Sequence, residues 1–223
     1  MKLATLTLAA LLSVTSVAQA ASIDASSATF AGTVIDFNDF DGYILPQVEA
    51  GNLITSLDLG SGVTLTTTPF SVVGQNAFDL DQNGLWSVIG NSNRDGNFVS
   101  TAFSNGNGSI NFTFATPMQQ VGIFANQNQA LGENNSLQVL AYDFNGNILE
   151  SFNVSIDTDF ESYDEGKFVG FARASADIYG FGLTNGTFVV DNLTISAVPE
   201  PETYAMFLAG LGLLGAASRR RTA

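Results

Sequence analysis

Carboxylate and amide side chains that alternate before a glycine are the most distinctive candidates for chemistry in this sequence. The segment DLDQNG places Asp79, Asp81 and Asn83 at alternating positions, followed directly by a glycine. Oxygen ligands at positions one, three and five, with glycine at six, form the first half of an EF-hand-type calcium loop. The segment NSNRDG repeats this half-pattern, but neither loop has a Glu at position twelve, where Gly90 and Ala102 stand. The pattern predicts weak calcium binding, with two Asx-rich turns as the competing interpretation.

A single tryptophan is the candidate for stacking against a sugar ring. Trp86 closely follows the first half-loop. Sugar-binding faces usually expose broad aromatic rings, whereas a tryptophan in a folded domain is more often packed in the core. Trp86 is therefore a candidate carbohydrate contact, and core burial is the alternative.

The composition removes the commonest catalytic centres. The chain contains no His and no Cys, which excludes Ser-His-Asp and Cys-His catalysis and the usual zinc sites. Paired carboxylates, as in glycoside hydrolysis, remain, but the acid-dense segment DTDFESYDEG is typical of a solvated loop. We therefore expect no enzymatic activity.

The charge of the central part of the chain excludes a nucleic-acid partner. Residues 21–198 contain nineteen Asp and Glu against three basic residues, a formal net charge of −16. Such a surface repels phosphates, whose binding needs a basic patch. It suits an exported protein that stays soluble and attracts cations.

The N-terminal segment has the order of a secretory signal. Lys2 precedes an apolar stretch over residues 3–17, and Ala18 and Ala20 form a small-x-small cleavage site. This order predicts a signal peptide over residues 1–20, removed by signal peptidase after Ala20.

The C-terminal segment is apolar over residues 204–217, with three glycines, and ends on Arg219, Arg220 and Arg221. A membrane-spanning helix needs about 20 apolar residues, so this one predicts a short or temporary span. The arginines should stay on the cytoplasmic side of the inner membrane. A plain membrane anchor is the competing interpretation.

The residues before this segment carry a family resemblance. Val198, Pro199, Glu200 and Pro201, then the short apolar helix and the terminal arginines, resemble the PEP-CTERM sorting signal of Gram-negative bacteria over about the last 25 residues. The resemblance implies recognition by an exosortase in the inner membrane and cleavage near Pro-Glu-Pro. It also implies delivery to the cell surface or extracellular matrix, in association with exopolysaccharide and biofilm.

The sequence between the two terminal segments has the pattern of β-strands. Residues 21–197 predict one all-β domain, an antiparallel β-sandwich or jelly roll of about ten to twelve strands, ahead of a sorting signal over residues 198–221. In SINFTFATP, apolar and polar residues alternate from Ile110 until Pro117 ends the strand. Asn145-Gly146 predicts a hairpin with a type I′ turn, and Asn185-Gly186 predicts a second hairpin.

The body also resembles jelly-roll, galactose-binding-like modules of carbohydrate-binding proteins. The resemblance rests on VIDFNDFDG, YDFNGNILESF, KFVGF and FVVDNLTI. It implies a structural calcium held near the first and last strands, at positions that correspond to Asp36, Asp39 and Asp191. The competing interpretation places Asp191 at the surface as a turn or strand-edge residue.

Three functions follow from these patterns. The first is a non-catalytic surface or matrix protein that is exported, crosses the inner membrane transiently and associates with exopolysaccharide. The second is a calcium-dependent carbohydrate-binding module in the same location. The third is a polysaccharide-cleaving enzyme.

Overall fold

The computed structural model describes residues 21–40, 43–45, 47–49, 52–68, 71–74, 98–101, 108–127, 136–156 and 166–197. Within these ranges the chain forms sixteen strands and no helix, so none of these segments could cross a membrane as a helix. In chain order the strands are β1 (Ala21–Ala25), β2 (Thr33–Ile35), β3 (Tyr43–Leu45), β4 (Gln47–Glu49), β5 (Asn52–Ile54), β6 (Ser56–Asp58), β7 (Val63–Thr67), β8 (Ser71–Gly74), β9 (Phe98–Ser100), β10 (Gly108–Met118), β11 (Gln120–Gln127), β12 (Leu137–Tyr142), β13 (Ile148–Val154), β14 (Lys167–Ala172), β15 (Ile178–Gly186) and β16 (Phe188–Ser196).

The strands form two large antiparallel sheets and one small hairpin. The eight-stranded sheet has the order β1-β14-β11-β16-β9-β8-β3, and β2 pairs with β16 beside β9. The six-stranded sheet has the order β13-β12-β15-β10-β7-β6, and β4 pairs with β5. The predicted all-β antiparallel sandwich is therefore confirmed, with more and shorter strands than the sequence suggested.

Alternating side chains explain why the two sheets face each other. In β10, Ile110, Phe112 and Phe114 are buried while the residues between them are more exposed, as the two-residue period of a strand requires. The inner faces meet through aromatic contacts: the ring centroids of Phe171 in β14 and Phe181 in β15 lie 6.3 Å apart. The core of the sandwich lies between these faces.

The end of β10 differs from the prediction. The strand does not stop at Pro117 but continues to Met118. Its pairing with β15 is broken between Thr113 and Met118, and in this interval the amide of Ala115 donates to the carbonyl of Gly62 at 2.8 Å. Pro117 has no amide hydrogen, so it fits inside an interval of the strand that forms no ladder with β15.

The predicted hairpin at Asn185-Gly186 is wrong. The strands on either side of it, β15 and β16, belong to different sheets, and the chain turns from one sheet to the other. Gly108 opposes Gly186 and Ser109 opposes Thr184, which leaves Asn185 as a bulge with φ +77°. Asparagine tolerates this left-handed conformation, and its Nδ2 donates to the carbonyl of Ser136 at 3.1 Å.

The outer face of the eight-stranded sheet is covered by its own apolar cluster. Phe168 in β14 is fully buried there, and its ring makes edge-on contacts with Phe30 at 5.7 Å and Phe124 at 5.2 Å between centroids. A Cβ atom at Gly122 would lie 2.4 Å from the Phe168 ring, so the ring occupies the space that a side chain would need.

Candidate functional site

A tight hairpin joins β12 to β13 at the edge of the six-stranded sheet. The Asp143 carboxylate accepts hydrogen bonds from the amides of Asn145 and Asn147, both at 2.8 Å, and from Asn147 Nδ2 at 2.9 Å. The amide of Gly146 donates to the carbonyl of Asp143 at 3.1 Å, which closes the turn. The predicted hairpin is confirmed.

The predicted type I′ geometry of this turn is wrong. A type I′ turn centred on Asn145-Gly146 needs positive φ at both residues, but only Gly146 of the two has it, with φ +81°. The pairing register also shifts between Ala141 and Tyr142, as in a turn followed by a glycine bulge. The hydrogen bonds to Asp143 explain the difference, because an Asx-type turn holds the chain in another conformation.

The last residue of β12 leans over glycines of the neighbouring strand. Tyr142 pairs with Gly180 on β15. A Cβ atom added at Gly180 would lie 3.3 Å from Tyr142 Cδ2, and one added at Gly182 would lie 3.4 Å from Tyr142 Cε2. The tyrosine ring therefore extends over positions where β15 carries no side chain.

Two further aromatic rings stand beside Tyr142. Phe144, at the tip of the hairpin, is 76% exposed. Its ring meets that of Tyr179 edge-on, with centroids 5.2 Å apart. A large apolar side chain this exposed is unusual for a turn, whose tip is normally polar.

These elements enclose a cleft of about 470 Å³ on the outer face of the six-stranded sheet, which we call the outer cleft. It is lined by residues 111–115 of β10, by Tyr142, Asp143, Phe144 and Gly146 of the hairpin, and by Tyr179 and Gly180 of β15. This volume falls within the range of about 300–1,000 Å³ that is typical of small-molecule sites.

Polar side chains continue from the outer cleft across the same face. Thr113 opposes Gly180 on one side and Thr64 on the other, and Asn111 opposes Thr66 on β7. Side chains directly opposite each other in a sheet share one face. The aromatic end of the face therefore adjoins a row of hydroxyl and amide groups.

Among the described residues, Asp143 is the carboxylate that lines the outer cleft. Hydrogen bonds from the Asn147 side chain, then from the Asn147 and Asn145 amides, lower the pKa of Asp143 below its usual 3.8. The carboxylate is therefore ionised at neutral pH. Partial burial raises the pKa of the Tyr142 phenol, so this group is neutral and is both a donor and an acceptor.

The basic side chains in the described part of the chain are both paired elsewhere. Lys167 Nζ lies 3.1 Å from Asp24 Oδ1 on β1. Arg173 binds Asp177 in a bidentate arrangement, with Nε to Oδ1 at 2.5 Å, and also contacts Glu150. The hydrogen bond that the Arg173 guanidinium donates to Asp177 raises the pKa of Arg173 above its usual value. The described residues thus place no cation in the outer cleft.

Two of the predicted calcium ligands lie close to residues that pair across β2 and β16. Asp36 Oδ2 accepts from Asn38 Nδ2 at 2.9 Å. Asp191 is 2% exposed and accepts from the amide of Asn192 at 2.6 Å and from its Nδ2 at 2.9 Å. The alternative of a surface residue is therefore wrong for Asp191.

No three His, Cys, Asp or Glu side chains that could share a metal are gathered among the described residues, which include Asp36, Asp39 and Asp191. The calcium site implied by the resemblance stays a prediction. The remaining predicted site residues lie outside the described ranges: Ala18, Ala20, Asp79, Asp81, Asn83, Trp86, Val198, Pro199, Glu200, Pro201, Arg219, Arg220 and Arg221.

The outer cleft is not among the sites that the sequence predicts. The segment IYGFGL carries a signal that could have indicated it, because Gly180 and Gly182 fall on one face of β15 and leave that face bare. The aromatic ring that fills the space comes from β12, and only the strand order of the sheet reveals that the two meet.

Comparisons with known proteins add little about the body. No curated protein matches the sequence significantly. One solved structure is similar over 61% of this chain, the "Crystal structure of Bacteriophage CBA120 tailspike protein 4 enzymatically active domain", at 16% identity and a TM-score of 0.30. The match spans only 19% of the tailspike chain.

The C-terminal end matches a family model. The model of the PEP-CTERM protein-sorting motif covers residues 197–221, which include the Pro-Glu-Pro, the apolar segment and the three arginines. The match begins directly after β16, which ends at Ser196. The body is therefore a β-sandwich followed at once by a PEP-CTERM protein-sorting motif, which marks the chain for export and for sorting through its C-terminus.

Proposed function

We propose that this chain is a non-catalytic exported protein that an exosortase-type enzyme processes at its tail and that then associates with extracellular polysaccharide at the cell surface or in the matrix. The observation that carries the proposal is the sorting motif over residues 197–221. Its Pro-Glu-Pro would be read outside the inner membrane, because the arginines behind the apolar segment stay in the cytoplasm.

Removal of both ends would leave the described sandwich intact. β1 begins at Ala21, directly after the predicted signal cleavage site, and pairs with β14 from that residue onward. β16 ends at Ser196, whose carbonyl accepts from the amide of Gln119 at 2.9 Å. Cleavage after Ala20 and near Pro199 would therefore remove no strand of the described sandwich.

The carboxylate that lines the outer cleft supports a non-catalytic body. A general acid at neutral pH needs a pKa raised toward 7, whereas the pKa of Asp143 in the outer cleft is lowered. Glu150 and Asp177 both pair with the guanidinium of Arg173. The environment of Asp143 is therefore not that of a general acid at neutral pH.

The sorting proposal is tested by replacing Pro199-Glu200-Pro201 with three alanines in the native host. We expect export to continue, while removal of the tail stops and the full-length protein accumulates in the inner membrane. Immunoblots of membrane, surface and medium fractions give the result. A matched variant, with serines in place of the three arginines, should instead disturb retention and topology. Normal processing of the alanine variant would show that the segment is only an anchor.

A further inference from the structure

We propose that the outer cleft binds a segment of neutral polysaccharide, with the Tyr142 ring as the surface against which a sugar packs. This inference names the ligand class and the binding site for the proposed function, and rests on it for the setting. Trp86, the carbohydrate contact suggested by the sequence, lies outside the described residues, and the proposal does not use it.

The position of Tyr142 suits a sugar ring. Gly180 and Gly182 let the tyrosine lean onto β15, and the same residue lines the outer cleft. The face of an aromatic ring carries partial negative charge, which attracts the weakly positive C–H groups of an apolar sugar face. A Cβ atom at Gly180 would make a tight 3.3 Å contact with Tyr142 and change the tilt of its ring, and one at Gly182 would overlap the Asn111 amide oxygen.

The aromatic pair at the hairpin supplies a wall next to this ring. Phe144 and Tyr179 contact each other edge-on, so Phe144 is held although it is mostly exposed. Burying so large an exposed ring against a ligand removes apolar surface from water, which favours binding. Few other described apolar side chains are comparably exposed; Val34 and Ile148 are the other large ones.

Polar groups around the rings match the hydroxyls of a sugar. The Asn111 amide oxygen lies above Gly182, at 2.3 Å from where a Cβ atom would stand. Thr113 is exposed on the same face, and the Tyr142 phenol is neutral. Amide and hydroxyl groups both donate and accept hydrogen bonds, and a few such groups in a mostly apolar site fix the orientation of a ligand.

The charge of the outer cleft selects a neutral glycan over an acidic one. Asp143 is ionised at the mouth, and the two cations in the described ranges are engaged with Asp24, Glu150 and Asp177. A uronic acid or phosphate would meet this carboxylate, which no cation of the described residues accompanies, and like charges in close contact reduce affinity.

The test uses the exported protein in its processed form, purified from its host. Immobilised neutral glycans (a β-glucan, a mannan and a galactan) are compared with immobilised alginate as the polyuronate. We expect binding to at least one neutral glycan and none to alginate. Tyr142→Ala and Phe144→Ala should each weaken binding by about ten-fold or more, whereas Tyr142→Phe, which keeps the ring, should stay within about three-fold.

Val34→Ala is the matched control, because it also removes an exposed apolar side chain but lies on the eight-stranded sheet. It should bind like wild type, and the melting temperature of every variant shows whether it is folded. The inference is overturned if the wild-type protein binds alginate best or binds no neutral glycan. It is also overturned if both alanine variants bind like wild type, or if Phe144→Ala only converts a dimer to a monomer.

The outcome is separable from that of the sorting proposal. Tyr142→Ala should be exported and processed normally, because it is far from the sorting motif in sequence. If the tail is processed but the purified protein binds no glycan, the sorting proposal stands and the glycan-binding inference is overturned. If the Pro-Glu-Pro variant is processed normally while the purified wild-type protein binds glycan, the glycan-binding inference stands and the sorting proposal is overturned.

Discussion

On the outer face of each large sheet, an aromatic ring lies over a glycine. The ring is buried on the eight-stranded sheet and partly exposed on the six-stranded sheet. On the eight-stranded sheet, Phe168 lies over Gly122 and is fully buried beneath Phe30 and Phe124. On the six-stranded sheet, Tyr142 lies over Gly180 and remains partly open beside the outer cleft. An aromatic ring on a glycine strand is thus structural on one face and accessible on the other.

The difference shows that the ring and the glycine alone do not define a site. A ring between two others loses all contact with solvent and contributes through burial and packing. A ring at an open edge contributes little to folding but presents a shaped surface to a ligand. The residues that cover the ring decide between these roles. Substitutions on the eight-stranded sheet should therefore mainly lower stability, and those on the six-stranded sheet should mainly weaken ligand binding.

The largest expected effect is the removal of the buried ring. Phe168→Ala should lower the free energy of unfolding by about 3–5 kcal/mol, because it deletes a fully buried phenylalanine and leaves a cavity. Tyr142→Ala should lower it by only about 1 kcal/mol, because its ring is partly solvated already. Urea unfolding of both variants measures the two values, and equal losses would contradict the distinction between the faces.

The glycines beneath the rings give a second, smaller contrast. Gly122→Ala should lower the free energy of unfolding by about 1–3 kcal/mol, because the new methyl would overlap a ring that its neighbours confine. Gly180→Ala should change it by less than about 1 kcal/mol, because the contact is 3.3 Å and Tyr142 can tilt toward solvent.

The same two glycine substitutions should affect glycan binding in the opposite order. The Gly180→Ala variant should bind neutral glycan several-fold more weakly, since the ring no longer lies as close to β15. The Gly122→Ala variant, measured at a temperature where it is folded, should bind as wild type does. A variant at Gly122 that lost binding without unfolding would place the site on the other sheet.

The sequence indicated the local features of the fold and missed those that depend on distant strands. The alternation of Ile110, Phe112 and Phe114 predicts which side is buried, because the two-residue period of a strand is a local property. The Asn185-Gly186 dipeptide has the same appearance whether it closes a hairpin or turns the chain into the other sheet. Only the pairing of β15 with β10 and β12 distinguishes a hairpin from a turn into the other sheet.

The outer cleft could not be predicted for the same reason. The alternation in β12 does place Tyr142 on the outer face of its sheet, but nothing nearby in the sequence reveals that two glycines lie beneath it. The turn beside it was also misassigned, because a single side chain, Asp143, redirects its hydrogen bonds. Local propensity is a weak guide where one carboxylate competes for the backbone amides.

The smallest expected effect concerns the Asp143 carboxylate, which should make the stability of the hairpin depend on pH. The pKa of Asp143 is lowered in the folded chain, chiefly by the Asn147 side chain. A lowered folded pKa means that the stabilisation is fully present above the unfolded value, usually 3.8, and is lost as the pH falls through the folded pKa. Asp143→Ala should therefore melt slightly below wild type at neutral pH, and this difference in melting temperature should narrow as the pH falls through the folded pKa. Asn147→Ala, which removes the chief cause, should reduce this dependence. Thermal melts followed by circular dichroism measure the difference in melting temperature between each variant and wild type. A difference as large at low pH as at neutral pH would mean that the ionised carboxylate does not hold the hairpin, and with it the position of Phe144 at the rim.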